Sequence, residues 1–257
     1  MILAELQFAL VRDMKLPIEI SEHGNLLMYK LGHSAEAVRD LINSRKLNGL
    51  RIFDYREPLE SLDFLRGFTF LKRLEITCSE DQDYSFLRDL TQLEHLSIGP
   101  SWPMENPIDL CHQANLKYLS IQWRRNRIHG LEACQNLEDL CLVEFKESDL
   151  ELISKLRNIV RLRIKTGSLK RLIGIENLKE LEVLEVGNCR SLVSIAHLNG
   201  LGNLRSLKFE SCPKISDFGD LIDLPLLESF KLIRCGEIPD IDFAGRFPNL
   251  SEPELLG

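Results

Sequence analysis

Apolar residues recur along most of this chain in one phrase, L-x-x-L-x-L. Clear copies are Leu71-x-x-Leu74-x-Ile76, Leu116-x-x-Leu119-x-Ile121, Ile159-x-x-Leu162-x-Ile164 and Leu204-x-x-Leu207-x-Phe209. Copies begin at Leu47, Leu71, Leu93, Leu116, Leu137, Ile159, Leu181, Leu204 and Leu227, at spacings of 24, 22, 23, 21, 22, 22, 23 and 23. Alternation within the phrase predicts a short strand with one buried face. One such unit cannot bury that face alone, so the units must stack. Between phrases the period changes to three, as in Leu169, Leu172, Ile175, Leu178, Leu181 and again in Leu192, Ile195, Leu198, Leu201, Leu204. That spacing predicts a 3₁₀-like or loosely helical return. Two repeats depart from it. The one after Leu142 starts polar, with Glu144, Lys146, Glu147 and Ser148, and the one after Ile98 carries Pro100, Pro103 and Pro107. An irregular loop is expected around those prolines.

Nine copies at a nearly constant period of 22–23 residues resemble the leucine-rich repeat family. The spacing looks like its phosphatase-1-regulator type, and the irregular repeats look like its bacterial stand-alone members. The resemblance implies an α/β solenoid: a horseshoe with a parallel concave sheet and a convex side of 3₁₀ turns, loops and short helices. The repeats would occupy 47–250, with an N-terminal cap over 1–46 and a C-terminal tail over 251–257. The family usually places Asn or Cys three residues after the second apolar strand position, turned inward. Here Ser79, Ser101, Cys189, Cys212 and Cys235 stand there, so the three cysteines are expected to form an inward structural ladder.

The first 46 residues do not repeat. Alternation at 17–20 and 27–31 around His23-Gly24-Asn25 predicts a hairpin. Ser34 is the expected N-cap of a helix from Ala35 to about Arg45, and 3–14 is a further candidate helix. At the other end Phe243, Phe247, Leu250, Leu255 and Leu256 are the residues available to close the last repeat.

Composition adds limits. Leucine fills 48 of 257 positions and hydrophobic residues make up 44% of the chain, which excludes intrinsic disorder. No apolar run is long enough to span a membrane. Glu5, Arg12, Asp13 and Lys15 break up the N-terminal apolar stretch, so no secretory signal is expected. Seven cysteines in a chain of this size suggest a reducing, cytoplasmic setting rather than disulfide staples. In that setting the sequon Asn249-Leu250-Ser251 carries no meaning. A grouping of Cys111 and His112 with His129 and Cys134 matches no zinc spacing and is assigned to ordinary packing, so no metal or cofactor is expected.

Outward positions of the strands are free of core duty, and these hold the candidate site. One repeat presents Arg161, Arg163 and Lys165 together, with Asp139 and Glu185 as flanking counter-charges. Tyr118, Gln122 and Trp123 lie two repeats earlier, Glu144 and Lys208 complete the face, and Trp102 lies in a nearby loop. Arginine beside aromatic anchors is the usual composition of a binding hot spot. The run Trp123-Arg124-Arg125-Asn126-Arg127 also suits a nucleic-acid strand, but the net charge of −7 opposes it. No nucleophile elbow, phosphate loop or dinucleotide turn is present. The sequence therefore reads as a non-catalytic protein-binding module, monomeric when free, for a partner with an acidic patch. An immunity protein that neutralises a cognate toxin is the narrower form. A phosphatase-regulator-like subunit and a nucleic-acid-associated protein are the alternatives.

Overall fold

The computed structural model describes residues 18–21, 24–29, 35–54, 59–99, 105–236, 245–251 and 253–256. β1 (Ile18–Ser21) and β2 (Gly24–Tyr29) form an antiparallel hairpin, and α1 spans Ala35–Arg45. From there strands alternate with tight return segments. They are β3 (Gly49–Phe53), β4 (Arg73–Thr77), β5 (His95–Ile98), β6 (Ile108–Asp109), β7 (Tyr118–Gln122), β8 (Ile128–His129), β9 (Asp139–Phe145) and β10 (Arg161–Gly167). β11 (Val183–Gly187), β12 (Ser206–Glu210), β13 (Ser229–Ile233) and β14 (Glu254–Leu256) follow. All but β6 and β8 lie side by side in one twelve-stranded sheet, in chain order, with only β1 antiparallel to its neighbour among the described strands.

The register keeps the phrase aligned from strand to strand. Leu140, Leu162, Leu184 and Leu207 oppose one another in sequence, as do Leu142, Ile164, Val186 and Phe209. Each is at most 1% exposed. The period-three return is a chain of i+3→i hydrogen bonds: the Ile175 N–H donates to the Leu172 carbonyl, Leu178 to Ile175 and Leu181 to Leu178, at 2.9–3.1 Å. Each buried side chain thus also closes a 3₁₀-type turn, which keeps every third residue on the inner face.

A second ladder has no counterpart in the hydrophobic pattern. Asparagine stands directly before the first apolar residue of the phrase at 115, 136, 158 and 203, and before Leu250 at 249. Each carboxamide donates to a main-chain carbonyl of the preceding repeat, of Thr91, Ala114, Gln135, Lys179 and Pro225, at 2.8–2.9 Å. The sequon residue Asn249 is one rung of this ladder.

Pro100, Pro103 and Trp102 lie outside the described residues, as do Ser34, Ser101, Phe243 and the candidate helix at 3–14. Two expectations about the chain path change. Past the prolines, β6 pairs in parallel with β8 as a small second sheet. The segment read as a tail supplies β14, which extends the sheet with Glu254 opposite Lys231 and Leu255 opposite Leu232.

The inward turn keeps the family position after the later strands and comes one residue sooner after the earlier ones. From β9 onward, the residue two after the second apolar position takes positive φ: Glu144 (55°), Thr166 (65°), Asn188 (54°), Ser211 (55°) and Arg234 (52°). This reversal points the next residue inward, which buries Phe145, Cys189, Cys212 and Cys235. The described earlier strands lack it, so the inward residue comes one position sooner, as Asp54, Cys78 and Trp123. Ser79 is accordingly exposed, and its N–H is held by the Asp54 carboxylate at 2.6 Å.

The left-handed region costs a non-glycine residue about 1–2 kcal/mol, and asparagine tolerates it best. Thr166 is β-branched, exposed and worst suited to it. Thr166→Asn is expected to raise stability by about 1 kcal/mol in urea unfolding. An unchanged or lowered midpoint would show that Thr166 is held there by something other than backbone geometry.

Candidate partner-binding face

Three charged clusters on the outward side of the sheet share one form, a carboxylate between two cations, while Lys231 and Glu254 pair one to one. Glu75 takes Arg51 Nε at 2.6 Å and Arg73 Nη2 at 2.5 Å, with His95 Nε2 at 3.5 Å. Asp139 takes Arg161 Nη1 at 3.0 Å and Arg163 Nη2 at 2.6 Å. Glu210 takes Lys208 Nζ at 3.0 Å and Arg234 Nη2 at 2.6 Å. Burial alone would raise the Glu75 carboxyl, but the hydrogen bonds and charge of Arg51 and Arg73 outweigh it and hold the group below its ordinary value. Each cluster retains one positive charge in excess.

Arg161, Arg163 and Lys165 do share the face, as the strand alternation requires. Two of them converge on Asp139 alone. Glu185, expected as the second counter-charge, makes no ion pair among the described residues, and neither does Lys165. The centre is a stack. The His95 and Tyr118 rings lie parallel, 4.0 Å apart and 5° from coplanar, and the Arg163 guanidinium stands 5.8 Å from the Tyr118 ring centre. These groups, with Arg73, Asp139 and Arg161, line a concavity of about 830 Å³.

Trp123 and Gln122 are corrections. Trp123 is 3% exposed: its ring packs on Phe145 at 5.5 Å, and its indole N–H donates to Glu147 Oε1 at 3.0 Å. The cause is that the alternation of β7 runs on past its end: Trp123 falls on the same side as Leu119 and Ile121, because no left-handed residue intervenes as it does from β9 onward. Gln122 is 1% exposed and offers a partner no accessible surface. Glu144 is already engaged by Arg124 Nη1 at 2.8 Å, and Arg125 reaches Glu147 at 3.2 Å. Two of the three arginines in the run that suited a nucleic-acid strand are therefore neutralised within the fold.

Cys189, Cys212 and Cys235 are buried, with each sulfur 3.4–3.7 Å from a main-chain carbonyl. Burial pushes the Cys189 thiol up to about 11. Cys141 stands at an outward position of β9, between the inward Leu140 and Leu142, yet it is 3% exposed. It lies between Ser120 and Arg163 in register, and Arg163 reaches over it toward Tyr118. The exposed thiol is Cys111, whose pKa is raised, first by its hydrogen bond with Asp109. In native protein one of seven thiols should react readily with a disulfide reagent, and its rate should keep climbing above the ordinary thiol range near pH ~8.5, because the thiolate is the nucleophile. Asp109→Asn should speed it at neutral pH. Rapid labelling of Cys141 would contradict the closed face. Among the described residues no three His, Cys, Asp or Glu side chains come together as a metal ion would need, and Cys134 is buried in the core.

A curved parallel sheet faced by 3₁₀ returns, one repeat per strand, defines a leucine-rich repeat solenoid. No family model matches the chain. Among solved structures it is similar to internalin C2 of Listeria monocytogenes, with 19% identity, 79% of this chain and 78% of that chain covered, and a TM-score of 0.51. It is similar to the leucine-rich repeat domain of the type III effector XopL, with 19% identity, 85% and 81% covered, and a TM-score of 0.56. It is also similar to a chain in the Toll–Spätzle complex of Drosophila, with 13% identity, 90% of this chain and 43% of that chain covered, and a TM-score of 0.54. At these identities the likeness is one of fold. No helix among the described residues is long and apolar enough to cross a membrane.

Proposed function

We propose that this chain is a non-catalytic protein-binding module whose concave face grips an acidic surface of a protein partner. One observation carries the reading: the three clusters each hold two cations on one carboxylate, so the face is in positive excess on a chain of net charge −7. Such segregation draws an acidic partner to this face and steers its approach. Tyr118, stacked on His95, is the central anchor, with the exposed Arg161 and Lys165 and the partly exposed Lys208 as the charged contacts. A chain of similar fold belongs to the Toll–Spätzle complex, which is a precedent for assembly of this fold with another protein. Within the reading, the narrower role is that of a cytoplasmic immunity protein, monomeric when free, which silences a cognate toxin by covering it.

Arg161→Glu with Lys165→Glu is expected to weaken the partner, recovered by capture on the wild-type protein, by about 2 kcal/mol or more in calorimetry. Both side chains are exposed, so the melting curve should hold. Wild-type affinity in the double variant would move the site off the concave face. For the immunity role, the captured partner should lose its toxic activity at a one-to-one ratio; retained activity would remove that role and leave the binding reading standing.

A further inference from the structure

A second surface lies away from the concave sheet, where the chain leaves the strand ends and turns into the return segments. Main-chain hydrogen bonds tie four repeats together there. The Lys170 N–H donates to the Ser148 carbonyl at 2.9 Å, Val193 to Lys170 at 3.0 Å and Ser216 to Val193 at 3.3 Å, with a parallel bridge between Arg171 and Ser194. They frame a groove of about 510 Å³. Its floor is apolar: Ile173 is partly exposed and Val193 is 40% exposed. Its walls carry Lys170, Arg171 and Lys214, all exposed, and none makes an ion pair among the described residues. The carboxylate in the groove is Asp149, and it is occupied locally: Oδ2 accepts the Ser148 hydroxyl at 2.9 Å and Oδ1 the Glu151 N–H at 3.2 Å.

Three unpaired cations around an apolar floor contrast with the concave face, where the basic side chains are mostly paired. We propose that this flank groove is a separate docking site for an extended acidic polypeptide segment carrying one apolar side chain. The cations take the carboxylates, arginine by its two-pronged fork, and Val193 and Ile173 receive the apolar group. Its span favours an extended chain. Three steps between stacked repeats cover about 15 Å, or about five residues at strand rise. The charges favour an acidic occupant, because a basic one would meet three like charges.

The test uses the full chain and a fluorescein-labelled hexapeptide of alternating aspartate and leucine, read by anisotropy at low salt. A lysine–leucine peptide of the same length is the control. The acidic peptide should bind and the basic one should not. Lys170→Glu with Lys214→Glu should weaken binding at least tenfold without shifting the melting curve, since both side chains are exposed. Val193→Asp should weaken it as well. Arg161→Glu with Lys165→Glu should leave it unchanged, which separates this site from the concave face. The proposal is overturned if the flank variant keeps wild-type affinity or if the concave variant abolishes binding. It is equally overturned if the basic peptide binds as well, or if a single-stranded oligonucleotide or phosphatidylglycerol vesicles bind more tightly than the acidic peptide.

Discussion

Leu162→Asp is expected to leave no cooperatively folded protein. Leu162 is fully buried on β10 between Leu140 and Leu184, its register partners on either side. A carboxylate there would sit in an apolar stack with no cation and no donor in reach. An unpaired buried charge costs more than the whole stability of an ordinary domain leaves spare. The effect spreads because each repeat is stabilised chiefly by its two neighbours, so a break at the centre separates the solenoid into two shorter stacks with exposed ends. Leu162→Ala tests the same position more gently. It removes buried methyl groups and leaves a cavity, for a loss of about 2–5 kcal/mol. Urea unfolding followed by circular dichroism reads both. Soluble Leu162→Asp protein with a sharp transition would mean that Leu162 does not face the core.

Trp123→Ala is expected to act on stability and not directly on a partner. The side chain is 3% exposed, packs on Phe145 and donates its indole N–H to Glu147. Its removal takes away a large buried surface and frees a carboxylate that Arg125 alone would then hold. A loss of about 3–5 kcal/mol follows from the size of the cavity. Trp123→Phe keeps most of the ring and loses the hydrogen bond, so it should cost less, about 1–2 kcal/mol. If Trp123→Ala left the melting curve in place and weakened a partner instead, the indole would have to lie on the concave face after all.

Trp123 and Cys141 show where inference from sequence runs out. Cys141 stands outward by simple alternation and is buried all the same, whereas Trp123 continues the inward series of Leu119 and Ile121, and only reading the end of that strand as turning outward misplaces it. Trp123 turns in because β7 lacks the left-handed residue that delays the inward turn in β9 to β13. No single residue type signals that reversal: Glu, Thr, Asn, Ser and Arg all occupy it. Cys141 does point from the concave face but is roofed by Arg163 from the next strand, its register partner one full repeat away along the chain.

What the sequence by itself determined was the repeat, its period, the strand register and the inward leucines, together with the helix Ala35–Arg45. These follow from short-range rules, since alternation sets a strand face and a period of three sets the return, and nine copies make each rule redundant. Tertiary structure alone decided which loop residue turned inward and how β14 closed onto β13. It also decided which of three adjacent cations met Asp139 and which was left unpaired. Those outcomes depend on neighbours one repeat away, where a charge finds its partner by distance in space and not by spacing along the chain.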